Sequence, residues 1–97
     1  MASFQKQTYG NNRLCILNYD TVGEQEVINV PYVQSGLTVQ LSPVGGTASL
    51  AVSNDGINWI TSPEGNVSAS TIILVVPVRY LRVTNNATTC GLAAWGF

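Results

Sequence analysis

The chain has 97 residues and a mass of 10.3 kDa, enough for one small domain and too little for a second core. Apolar residues make up 45% of it and charged residues only 9%, with a net charge of −1. Disordered chains combine low hydrophobicity with high net charge, and this one has neither. Its four cations, Lys6, Arg13, Arg79 and Arg82, are too few for the electropositive field that nucleic-acid binding needs.

Residues 1–12, where Gln5, Gln7, Asn11 and Asn12 surround Phe4 and Tyr9, read as an N-terminal arm. They lack the apolar centre of a secretory signal, so either the protein stays in the cytosol or a signal has been removed. Met1 favours the first, and the expectation is a protein made in a host cytoplasm without a signal peptide. Runs rich in valine, isoleucine, threonine and tyrosine then predict strands near Leu14–Tyr19, Glu26–Val30, Thr38–Leu41, Ala48–Ser53, Asn58–Thr61, Ile72–Val76, Val78–Val83 and Thr89–Trp95. Pro43-Val44-Gly45-Gly46, Asn54-Asp55-Gly56, Pro63-Glu64-Gly65-Asn66 and Asn85-Asn86 supply turn chemistry between them. The predicted fold is all-β: a single small β-sandwich, jelly-roll or immunoglobulin-like, or a partly closed barrel of about eight short antiparallel strands. The longest apolar stretch, Thr71 to Val78, contains Pro77 and falls far short of a membrane span of about 18 residues, so no membrane partner is expected.

The clearest local prediction is a hairpin, with Ala48–Ser53 and Asn58–Thr61 joined by a short turn at Asn54-Asp55-Gly56. Gly56 would take the left-handed position, and Leu50 and Val52 would face Ile57 and Trp59 across the pair. In Val78–Val83, Arg79 and Arg82 would reach the rim of the core. Gly45-Gly46-Thr47 lacks the lysine of a phosphate-binding loop and reads as a hairpin tip.

The inventory for chemistry is thin. Histidine is absent, which excludes imidazole-based triads, and Cys15 and Cys90 cannot alone build a zinc site. The two thiols are either free and buried or a staple between the first and last strands. The carboxylates Asp20, Glu24, Glu26, Asp55 and Glu64 sit near turns and strand ends, with no spacing that suggests a tuned pair or a cation cluster. Hence no enzyme activity, cofactor or metal is expected. Asn66-Val67-Ser68 and Asn86-Ala87-Thr88 match the glycosylation pattern, as chance matches would in a chain holding 31 Asn, Gln, Ser and Thr residues.

Two segments, Ser53-Asn54-Asp55-Gly56-Ile57-Asn58-Trp59 and Pro77-Val78-Arg79-Tyr80-Leu81-Arg82-Val83, together resemble a pairing found in discoidin-type and other carbohydrate-binding β-sandwiches. The chain is also similar to small β-rich structural proteins of tailed bacteriophages, namely capsid decoration or cement proteins and tail or fibre components. The second resemblance implies a virion protein that binds a major capsid protein or another virion protein as a homo-oligomer, with a trimer compatible with lattice symmetry. The first implies a host-glycan site at Asp55, Asn58 and Trp59, with Trp59 as the stacking platform, whereas the alternation of the hairpin puts Trp59 in the core.

The chain finishes on residues 92–97, Leu92-Ala93-Ala94-Trp95-Gly96-Phe97, an aromatic segment without a charged side chain. It reads either as a last strand plugging the core or as part of an interface in which Phe4, Tyr9, Trp95 and Phe97 anchor a neighbour. Nine formal charges over about 5,300 Å² of folded surface leave roughly one per 600 Å². Such an exterior suits cover by other macromolecules more than isolation in water.

Overall fold

The computed structural model describes residues 3–9, 12–30 and 37–95. Nine strands form among them: β1 (Ser3–Tyr9), β2 (Asn12–Tyr19), β3 (Glu24–Asn29), β4 (Leu37–Val44), β5 (Thr47–Ser53), β6 (Ile60–Thr61), β7 (Thr71–Val75), β8 (Tyr80–Asn86) and β9 (Thr89–Trp95). They build two antiparallel sheets, ordered β1-β2-β9-β4-β7 and β3-β8-β5-β6. With β1 set aside, the chain steps from β2 in one sheet to β3 in the other, back to β4, and on to β5. That interleaving is the path of a jelly roll and decides among the sandwich topologies the sequence left open.

Alternation within strands explains why the sheets face each other. In β8, Leu81, Val83 and Asn85 are buried while Tyr80, Arg82 and Thr84 are partly exposed. In β9, Cys90, Leu92 and Ala94 point inward. Leu17, Leu41, Ile73 and Leu92 of one sheet meet Leu50 and Leu81 of the other in a single core cluster. Each such aliphatic side chain contributes about 1.5–3 kcal/mol on leaving water.

Several local expectations change. Residues 3–9 are an edge strand registered along β2, with Phe4 opposite Leu17 and Tyr9 opposite Asn12, and not an arm. The free edge of β2 supplies backbone partners that a run rich in Gln and Thr does not advertise in its own pattern. Gly45-Gly46 is not a hairpin tip, because β4 and β5 belong to different sheets and the glycines carry the chain across the sandwich. A Cβ at Gly46 would overlap the Asn86 carbonyl and lie 2.7 Å from the Ala87 Cα. The staple between Cys15 and Cys90 is also excluded. Cys15 registers with Ala94, four positions from Cys90, which is about 13 Å along the strands, whereas a disulfide needs α-carbons within about 7 Å. Cys90 is free and buried, and burial pushes its thiol pKa up.

Asn85, expected in a turn, lies at the end of β8 as the most buried polar side chain described. Its Nδ2 donates to the Thr21 and Ala87 carbonyls, each at 3.1 Å, and its Oδ1 accepts from the Ala87 N–H at 2.9 Å. One amide thus ties the turn before β3 to the turn after β8. Asn85→Ala leaves buried backbone groups of Ala87 without partners and is expected to lower stability by about 2–3 kcal/mol. Urea unfolding should show a lower midpoint at an unchanged slope, and an unchanged midpoint would contradict this role.

Candidate functional site

The turn after β5 is built by side chains competing with the backbone ladder. Asp55 Oδ1 accepts from the Ile57 and Asn58 N–H groups, both at 2.8 Å, and from Ser53 Oγ at 2.9 Å. Asn58 Nδ2 donates to Asp55 Oδ2 at 2.8 Å. Ser53 Oγ in turn accepts from the Gly56 N–H at 2.9 Å, and Gly56 takes the left-handed φ of 74° that the sequence led us to expect. These bonds curl residues 54–58 into a bend instead of a strand. The predicted hairpin is therefore corrected in register: β6 is only Ile60–Thr61, Val52 pairs with Ile60, and Ala51 pairs with Thr61. Ile57, expected opposite the core residues of β5, is 80% exposed.

Trp59 is corrected as well. It is half-buried and outside the core cluster, and the Arg82 guanidinium lies over its ring at 4.7 Å from the centroid. Arg82 sits between Val27 and Ala51 on the outer face of the four-stranded sheet. Its Nε is buried without a hydrogen-bond partner among the described residues, so the indole face supplies attraction that an acid would otherwise give. Arg79 lies over the ring of Tyr80 at 5.7 Å, and its N–H donates to Asn54 Oδ1 at 3.2 Å. The structure thus brings Asp55, Asn58 and Trp59 into one loop, with the acid and the amide bonded to each other and one indole face covered by Arg82. The pairing of Trp59 with Arg82 was not legible in the sequence, where 22 residues separate them.

The four candidate interface residues are placed differently. Phe97 lies outside the described residues. Phe4 registers with Leu17, a core position, and Tyr9 lies at the end of β1. Trp95 is 50% exposed on β9, registered with Leu14 of β2 and Thr38 of β4. Following that register outward, Trp95, Thr38 and Leu74 form one row on the outer face of the five-stranded sheet, and Ala93, Gln40 and Ile72 form the next. Neither row carries a charge. Leu74 and Ile72 are 80% and 63% exposed, a feature that sequence alternation could have signalled had the strand been placed at an edge.

Glu26 accepts a hydrogen bond from the buried Tyr19 hydroxyl at 2.8 Å. Among the described residues no three His, Cys, Asp or Glu side chains come together as a metal site.

No known family pattern matches the chain, and no curated protein does. Solved structures do resemble it. A cupin superfamily protein from Desulfitobacterium hafniense superposes with a TM-score of 0.61 at 8% identity, covering 100% of this chain and 77% of that one. The cupin domain of Schizosaccharomyces pombe Cnp3 gives 0.56 at 9% identity, over 97% of this chain and 59% of that one. A recombinant oxalate oxidase in complex with glycolate gives 0.63 at 6% identity, over 97% of this chain and 49% of that one. The chain therefore spans about half the length of the oxidase. At such identities the likeness shows the fold, a cupin-type jelly roll. It also corrects the expectation that the chain is not an enzyme, because an oxidase is built on the same fold.

Four donors hold the Asp55 carboxyl well below the usual range, the Asn58 and Ile57 N–H groups foremost, then the Asn58 and Ser53 side chains. A depressed folded value means that the loop's contribution is complete above the unfolded value of about 3.9 and is lost as pH falls through the folded value. The difference in melting temperature between wild type and Asp55→Asn is expected to be constant at neutral pH and to shrink as pH drops below about 4. A difference independent of pH would remove Asp55 as the organiser of the loop.

Proposed function

We propose that this chain is a structural protein of a phage particle, a capsid decoration or cement protein that binds the assembled shell as a homo-oligomer. The observation that carries the reading is the pair of uncharged rows on the outer face of the five-stranded sheet, where Trp95, Leu74 and Ile72 stand exposed among Thr38, Gln40 and Ala93. Aromatic and aliphatic groups with neutral amides suit the buried centre of a lasting contact, since they desolvate without leaving an unpaired ion. The sparse charge of the whole chain and its resemblance to phage β-proteins support the same reading. A protein that binds only the assembled shell stabilises it by mass action, as any ligand of one state does. A tail or fibre subunit of the same particle would use the face in the same way. The loop at Asp55, Asn58 and Trp59 gives the glycan reading less support, since its polar groups are satisfied within the loop.

Co-sedimentation of the chain with mature tailed-phage shells stripped of their decoration protein tests the proposal. Trp95→Glu and Gln40→Glu place charge on the face without touching the core, and each is expected to weaken shell binding at least about tenfold, the effect of burying one unpaired charge. Wild-type binding should change little between low and high salt. Failure of the wild type to bind any shell, or equal binding by both variants, would overturn the proposal.

A further inference from the structure

Among the described residues the two sheets have four outer strands, and three of them are guarded. β1 carries Lys6, β3 carries Glu24 and Glu26, and β6 is only two residues long. Charge and brevity are the usual means by which sheets prevent another strand from adding at an edge. β7 has neither. Its sequence, Thr71-Ile72-Ile73-Leu74-Val75, contains no charge, proline or glycine, and among the described residues it pairs on one side only, with β4. Ile72, Leu74 and the following Val76 are 63%, 80% and 70% exposed, the densest run of exposed aliphatic residues described.

We infer that β7 pairs antiparallel with β7 of a second copy, joining two five-stranded sheets into one of ten strands. The inference rests on the homo-oligomer part of the function proposed above and names its surface. A two-fold contact must be self-complementary, and this edge meets that requirement. Pairing centred on Ile73 sets Ile72 against Leu74 of the second copy and Leu74 against its Ile72, so both of these exposed aliphatics gain an aliphatic neighbour, while Val76 falls opposite Ser70. Electrostatics agree, because no like charges face each other across the axis. Covering these two aliphatic side chains on each copy removes on the order of 200 Å² of apolar surface from water. With the hydrogen-bonded edge this falls at the low end of interface sizes, below about 1,200 Å² in total, so the dimer is weak and concentration-dependent. An antiparallel contact of this kind closes at two copies, in place of the trimer that lattice symmetry suggested.

Sedimentation velocity on the full chain from about 10 µM to about 1 mM reads the association directly, since weak contacts dissociate in that range. The wild type is expected to pass from monomer to dimer, and Ile72→Lys or Leu74→Lys to shift the midpoint at least about tenfold upward, since lysine guards an edge. Both positions face solvent, so the variants keep the monomer fold, which far-UV circular dichroism checks. Mixing Ile72→Cys with Leu74→Cys chains under mild oxidation should cross-link the mixture faster than either variant alone. A wild type that stays monomeric throughout, a dimer unaffected by both lysines, or no preference for the mixed cross-link would overturn the inference. Shell binding is read separately through Trp95, so a monomeric chain that still binds shells sinks the edge pairing alone. A dimer that ignores shells sinks only the particle assignment.

Discussion

Burial of one face of the core-forming strands against the opposite sheet is the constraint on which the rest of this molecule depends. Leu17, Leu41, Leu50, Ile73, Leu81 and Leu92 leave water together only if the two sheets stack, and stacking fixes which alternate residues must face out. The chain has few charges to put there. What results is an exterior with two characters: a four-stranded face where Arg82 and Trp59 cover each other, and a five-stranded face whose mapped rows carry no charge.

The same constraint accounts for the loop after β5. Once Val52 is committed to pairing with Ile60, the six residues between Ser53 and Ile60 must find backbone partners outside the ladder. Asp55 supplies them from one carboxylate, and Ser53 from a buried hydroxyl. Trp59 is thereby lifted away from the core and laid along the outer face, under the guanidinium of Arg82. The loop is a self-satisfied unit, which is why its aromatic and its acid read as architecture before they read as a binding site.

Fold and function separate cleanly here. A jelly roll of the cupin type hosts an oxalate oxidase in one protein and a domain of Cnp3 in another, so the shared scaffold neither assigns nor forbids catalysis. The function proposed for this chain rests on its own surface, the uncharged rows of the five-stranded sheet on which Trp95, Leu74 and Ile72 stand exposed.

The sequence alone determined the β class, most strand positions and the left-handed glycine at Gly56, because these follow from period-two alternation and from local backbone sterics. It also determined that the chain holds no histidine, which is a matter of composition alone. Tertiary structure alone decided that residues 3–9 are a strand, that Gly45-Gly46 crosses between sheets, that Asn85 is a buried tie and that Arg82 meets Trp59. Each of these depends on which strands become neighbours. Neighbours in a jelly roll are distant in the chain, so their pairing energies appear in no local window of sequence.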